Sequence, residues 1–255
     1  MRVIKIDLPE TITNVEVHFF ADNHVGDIFS DEKLLKERIE YVKNTPNAFA
    51  MLNGDLINNA TITSVSDSYS EKYTPDEEID KAVELFDPIK DKIWSVVPGN
   101  HEIRTWKTGG VDITRRVARE LGIVDKYSDT GNLLFVRFGN NIKQRKVAYT
   151  IYTIHGSGGG KKVGGKFNRL SDLAGIVDAD IYVHSHTHLP GAFREAFYRV
   201  NMQNSSIAMV DKLFINTAAT LDYGGYGETN SFKPSSKECP VLTLSGTEKH
   251  MKSNV

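Results

Sequence analysis

A single cysteine in 255 residues, Cys239, excludes an internal disulfide framework and a cysteine-rich zinc module. A reducing cytosol is the compartment this implies, so a cytoplasmic location is expected. No apolar run approaches the ~18–20 residues that a bilayer-crossing helix needs, and no membrane partner is expected. The stretch Met1-Arg2-Val3-Ile4-Lys5-Ile6-Asp7 meets a charge and then a proline too early for a secretory signal. With 8 Pro and 20 Gly the chain is neither collagen-like nor mostly disordered. Neither sign of charge dominates: 31 basic and 33 acidic residues leave a net −2, which argues against coating duplex DNA by bulk charge.

What is there is unevenly placed. From Thr130 to Ser171 run eight basic residues, Lys143, Arg145 and Lys146 among them, and no acidic one, while Asp67–Asp91 holds nine acids against three lysines. Such runs are usually solvated faces and matter only beside a reactive site. Apolar spacing predicts strands at 15–21, 48–53, 93–97, 133–138, 146–154 and 180–183, then at 192–200, 207–216 and 241–244. Helices are predicted at 31–43, at 75–86 (Thr74 as cap, Pro75 at the first turn), at 112–121 and near 167–177. No internal repeat or biased linker divides the chain, so one α/β domain over residues 1–255 is expected, with two packed sheets and helices outside.

The informative feature is where the polar residues fall. Successive apolar strands run into Asp22-Asn23-His24, Gly54-Asp55, Gly99-Asn100-His101-Glu102, His155-Gly156 and His184-Ser185-His186-Thr187-His188. Sites in α/β sheets collect beyond the carboxyl ends of strands, and six of the eight histidines lie in these clusters. In an extended segment alternate residues point the same way, ~6.5–7 Å apart, so Asp22 and His24, and likewise His186 and His188, are expected to converge. Mixed oxygen and nitrogen donors suit hard divalent cations rather than a thiolate site. Singly, each piece has a plainer reading: Gly-Asp is turn chemistry, and Gly-Asn-His-Glu fits a helix cap with its acid partner. His18 is expected to be structural and His250 solvated.

The ordered set resembles the calcineurin-like metallophosphoesterase superfamily, whose motifs are D-x-H, G-D-x-x-[DN], G-N-H-[DE], a single His and G-H-x-H. Here they stand as Asp22-Asn23-His24, Gly54-Asp55-Leu56-Ile57-Asn58, Gly99-Asn100-His101-Glu102, His155 and Ser185-His186-Thr187-His188, spanning residues 22 to 188. The resemblance implies a four-layer α/β/β/α sandwich and a site for two divalent metal ions, with Mn the first choice and Fe, Zn, Ni or Mg as alternatives. By position, Asp22, His24 and His188 would bind one ion, Asn100, His155 and His186 the other, and Asp55 both. One departure is Ser185 where the family has Gly; with His184 before it, a second register His184-x-His186 exists, and the flanking residues favour His186 and His188.

On this reading a hydroxide bridging the ions attacks phosphorus, and His101 protonates the leaving oxygen. The substrate is expected to be a phosphodiester in a nucleic acid, nucleotide or cyclic nucleotide. A phosphomonoester or phosphoprotein is the alternative, although Gly54-Asp55-Leu56-Ile57-Asn58-Asn59 lacks the G-D-x-V-D-R-G run of the phosphoprotein branch; a catalytically silent scaffold is a third reading. The segment Gly156–Lys166 near-matches a P-loop but has Phe167 where Ser or Thr is required. As a loop it would bring Lys161, Lys162 and Lys166 to further phosphates, Trp106 would stack a base, and Tyr223–Gly227 would rim the pocket. The polar stretch Asn59–Thr74 is long for a connection and reads as a lid or an exposed excursion.

Overall fold

The computed structural model describes residues 1–62, 64, 68–139 and 147–254. Lys143, Arg145 and Lys146 of the basic stretch, and residues 63 and 65–67 of the polar one, lie outside the described residues. The elements run β1 (Arg2–Leu8), β2 (Asn14–Phe20), α1 (Glu32–Asn44), β3 (Ala48–Asn53), α2 (Pro75–Phe86), β4 (Ile93–Val97), α3 (Asn100–Gly109), α4 (Ile113–Glu120), β5 (Gly131–Phe138) and β6 (Val147–Ile154). Then follow α5 (Val163–Ser171), β7 (Ile181–His184), β8 (Gly191–Asn201), β9 (Ser206–Asn216), α6 (Gly225–Thr229), β10 (Val241–Ser245) and β11 (Met251–Asn254).

Two mixed sheets result, one ordered β1-β5-β6-β7-β9-β8 and the other β11-β10-β2-β3-β4. They face each other across a core that includes Val15, Val17 and Phe19 of β2, Met51, Trp94, Val136, Ile151, Val183 and Ile215. Because side chains alternate along a strand, Phe20 points the other way, into a layer with Leu35 and Ile39 of α1, Ile79 and Phe86 of α2 and Val117 of α4. On the opposite side Leu170 of α5 packs with Tyr152, Tyr182 and Phe214. The order of layers is therefore helix, sheet, sheet, helix, as expected. No described helix is long and apolar enough to cross a membrane.

The helix starts follow their caps. Asp31 accepts from Leu34 N at 3.0 Å, Asp112 from Arg115 N at 2.9 Å, and Thr74 and Glu77 form a reciprocal capping box before Pro75. Two expectations need correction. Helix α5 opens at Val163, four residues before Phe167, so Gly164, Gly165 and Lys166 are helical and the glycine loop ends at Lys162. A helix absent from the expected set, α3, runs over Asn100–Gly109, with Gly99 as its cap and Glu102 as the acid partner, as the plainer reading of Gly-Asn-His-Glu had it. His18 is buried beside Tyr41, and His250 is exposed, both as expected.

Candidate metal centre

Strands β2, β3 and β4 run parallel in one sheet and β6 and β7 in the other, and all five carboxyl ends open on one place. Asp22 and His24 follow β2, Asp55 follows β3, Asn100 and His101 follow β4, His155 follows β6, and His186 and His188 follow β7. Asn53 ties the sheets together beneath them. Its amide donates to Ile154 O at 3.0 Å and to Ser185 Oγ at 2.6 Å, its side-chain oxygen accepts from Thr153 Oγ1, and its carbonyl lies 2.8 Å from His155 Nδ1.

The backbone does not bring the ligands together by alternation. Asp22, His24, Asp55, His186 and His188 all have positive φ, between 46° and 66°, so the D-x-H and H-x-H segments are left-handed turns and not extended. Each such residue costs of order 1–3 kcal/mol, and strain of this kind clusters at functional sites. The turns are packed against one another: a Cβ on Gly99 would stand 2.0 Å from Asp55 Oδ1, and one on Gly54 2.5 Å from Gly99 N. Only glycine permits that approach.

Three donor groups each bring their atoms within 4.8 Å: Asp22 with His24 and His188, His24 with Asp55 and His101, and Asp55 with His155 and His186. Asn100 Oδ1 lies 2.7 Å from His186 Nδ1 and 3.2 Å from His155 Nε2. His155 Nε2 is 3.3 Å from Asp55 Oδ2, and His188 Nε2 is 3.2 Å from Asp22 Oδ1. All seven residues expected as ligands thus meet in one place. The second register fails, because His184 Nδ1 faces Asn216 Oδ1 at 2.9 Å and its Nε2 accepts from Ser157 N.

The donor chemistry fits a cation. Asp22 Oδ1 and His24 Nε2 are buried without a hydrogen-bond partner, a costly state for polar atoms that a ligated metal would relieve. Asn58 Oδ1 stands 3.3 Å from His24 Nδ1, which places that proton on Nδ1 and leaves Nε2 its lone pair; the Asn53 carbonyl likewise takes the His155 Nδ1 proton, so that a cation there would have to displace only the one on Nε2. Burial, then repulsion from His101, pushes the His24 imidazole well below its usual range, and burial also lowers His186. Burial presses His155 in the same sense but Asp55 outweighs it, carrying this imidazole up to about 10. Burial works against the charge on Asp55 too, yet His155 and His101 hold the carboxyl well below the ordinary carboxylate range.

Several contributors escaped the sequence reading. Glu102, quoted only as a helix partner, accepts four backbone N–H groups: Gly99 at 2.8 Å, Asp55 at 3.0 Å, Leu56 at 2.7 Å and Ile57 at 3.2 Å. It therefore shapes the turn that carries Asp55. Asn59, at φ 46°, donates to His101 O and to Thr105 Oγ1, fixing α3 against the same turn. Arg104 had no mark of its own, yet its Nη2 lies 3.0 Å from His101 Nε2.

The expected substrate contacts fare less well. Trp106 is 58% exposed, and five residues beyond His101 it stands about 140° round the helix from it, facing away from the centre. Lys166 spends its ammonium on Thr187 O at 2.7 Å, between the two histidines, and Lys161 lies over the Phe232 ring. Lys162 is exposed just before α5. Within Tyr223–Gly227, Gly224 and Gly225 pack on Phe29, and Tyr223 donates to Phe232 O. Of the polar stretch, Ile62 and Tyr69 are exposed, whereas Glu71 accepts from Asn58 Nδ2 at 2.8 Å and so joins the outer layer of the centre.

Asp, Asn and His donors thus cluster at the shared carboxyl edge of two packed sheets, in groups able to hold a metal ion. The chain belongs to the calcineurin-like phosphoesterase family, whose sequence profile matches residues 16–190. No curated protein shows significant similarity to it. Among solved structures it is similar to Vacuolar Protein Sorting 29 from Cryptosporidium parvum (13% identity, TM-score 0.44, 95% of this chain and 98% of that one covered). It is also similar to a metallophosphoesterase from Sphaerobacter thermophilus (12%, 0.41, 94% and 87%) and to the nuclease MPE of Pseudomonas putida (12%, 0.37, 93% and 87%). At such identities and scores none of them bears on substrate.

Proposed function

We propose that this protein hydrolyses a phosphodiester in a nucleic acid, nucleotide or cyclic nucleotide, using two divalent cations, manganese first among the candidates. The observation that carries this reading is the overlap of the donor groups: Asp55 belongs both to the group with His24 and to the group with His155 and His186. A carboxylate shared in this way suits two cations held side by side. Asp22, His24 and His188 would hold one, Asn100, His155 and His186 the other. Bound there, the cations supply positive charge for the phosphoryl oxygens and lower the pKa of bound water toward ~7.

The chain's own groups do the rest. His101 keeps its Nδ1 2.7 Å from the Asn58 carbonyl, so the ring is fixed and Nε2 turns toward Asp55, 3.9 Å away. From there it reaches an oxygen leaving phosphorus, and protonation of that oxygen is the role assigned to it. Asn58 and Asn53 hold the imidazoles of His24 and His155 in the tautomers that ligation needs. The diester preference is supported by the absence of the phosphoprotein-branch run: Asn59 stands where that run has Arg, and its amide is committed to the backbone of α3.

The test uses full-length protein, freed of metal and reconstituted with manganese. Hydrolysis of bis-p-nitrophenyl phosphate should exceed that of p-nitrophenyl phosphate, with about two ions bound by elemental analysis. A faster monoester reaction would favour the phosphomonoesterase reading. Absence of metal binding would leave only a silent scaffold.

A further inference from the structure

Arg104 is a cation beside the candidate centre to which no role above is given. It lies three residues after His101 on α3, so the two side chains share a helix face. Its Nη2 is 3.0 Å from His101 Nε2 and its Nη1 3.5 Å from the Asn58 carbonyl. His101 Nε2 is in turn 3.9 Å from Asp55 Oδ2. The distances 3.0 Å and 3.9 Å in series keep the guanidinium nitrogen within about 7 Å of that carboxylate. No carboxylate of the described residues lies within 4.0 Å of Arg104, unlike Arg116 and Arg137, which are each paired with acids.

A half-buried guanidinium with no carboxylate of the described residues within 4.0 Å, and with Asp55, Glu102 and Glu71 acting on it only from further off, is an unusual use of charge. Five planar N–H donors match the oxygens of a phosphoryl group in pairs, and among the described residues those of Arg104 meet one imidazole nitrogen and, at 3.5 Å, one carbonyl. Its placement is rigid, because Asn59 and Thr105 exchange hydrogen bonds at 2.8 Å and 3.0 Å and lock the rotation of α3. Of the lysines near the centre, Lys166 donates to Thr187 O and Lys161 lies over the Phe232 ring, while Lys162 is exposed just before α5.

We propose that Arg104 is a substrate-contacting residue whose guanidinium donates to a non-bridging oxygen of the phosphoryl group undergoing hydrolysis. In the free protein one of its donors rests on His101 Nε2. A phosphoryl oxygen takes over that donor, and the His101 nitrogen, which holds a lone pair while it accepts from Arg104, is then free to take up a proton from solvent before it meets the leaving oxygen. This inference rests on the phosphoesterase reading, and the experiment below separates the two.

Arg104→Ala and Arg104→Lys are prepared in full-length, manganese-loaded protein, and Arg104→Ala also in a His101→Asn background. Binding of orthophosphate is measured by calorimetry, alongside kcat and KM for bis-p-nitrophenyl phosphate and metal content. Loss of one charge-assisted contact predicts about 10–100-fold weaker orthophosphate binding in Arg104→Ala. Metal content should stay unchanged, Arg104→Lys should recover part of the affinity, and the loss should persist without His101. Orthophosphate affinity within twofold of wild type, at full metal content, overturns the proposal. So does a loss that vanishes in the His101→Asn background, since Arg104 would then only position His101. If Arg104→Ala does not fold, the same comparison on Arg104→Lys against wild type decides. A wild-type protein that binds orthophosphate but hydrolyses neither ester would defeat the phosphoesterase reading and leave the anion contact standing.

Discussion

Replacing Glu78 by Gln should stabilise the metal-free protein, and only above a definite pH. Glu78 sits on α2, fully buried, with Oε2 accepting from Asn59 N at 2.7 Å and Oε1 without a partner. The chain makes room for it at Gly26, where a Cβ would stand 1.9 Å from Oε1. Burial is the main reason its carboxyl is pushed up to about 8. The Asn59 N–H pulls the other way, and Glu71, Glu102 and Asp27 repel the charge. The folded chain keeps this proton to about pH 8, whereas the unfolded chain loses it near its ordinary value of 4.5. Stability owed to this group therefore falls as pH rises through that window and is flat on either side.

At 1.36 kcal/mol per pH unit, the span from 4.5 to about 8 sets a ceiling of about 5 kcal/mol. Glutamine keeps an oxygen for Asn59 N and carries no charge at any pH. The difference between variant and wild type should thus be nearly constant below pH 4.5, open through neutrality and level off above pH 8, favouring Glu78→Gln. Urea unfolding of both proteins at pH 4.5, 7 and 9, with equal m-values, measures it. Stability curves that run parallel from pH 4.5 to 9 would refute the reasoning.

Two further outcomes follow from the centre. His101→Asn should retain its metal and lose about 10²–10⁴ in turnover on a diester with a poor leaving group; the loss should shrink with p-nitrophenol as leaving group, and equal losses on both would speak against general acid catalysis. Asn58→Leu removes the acceptor of the His24 Nδ1 proton, so manganese affinity by calorimetry should weaken about 10–100-fold; unchanged affinity would mean that His24 needs no such orientation.

The expected helix–sheet–sheet–helix order and the gathering of polar strand ends in one place were legible because each depends on short-range signals. Apolar strands announce themselves locally, and their polar ends mark the crevice. Capping residues were equally readable: Thr74, Asp31 and Asp112 each begin a helix. What could not be read depends on neighbours distant in sequence. The left-handed backbone at Asp22, His24, His186 and His188 arises from turns braced across the centre, where strand alternation would have suggested extended chain. Helix α3 is short and amphipathic only once its acid, Glu102, is seen to serve the turn after β3. Arg104 is one basic residue among 31 until α3 places it three residues past His101. Trp106 drew interest as an aromatic near a motif, and helical geometry turns it away.

The bond network of Asn53 bears on how the molecule matures. Its side chain reaches from one sheet into the backbone and hydroxyls of the other, so the donors gathered from residues 22 to 188 come into register only after both halves have docked. Cation uptake at this site would accordingly require a completed tertiary structure, because each sheet alone carries only part of the donor set.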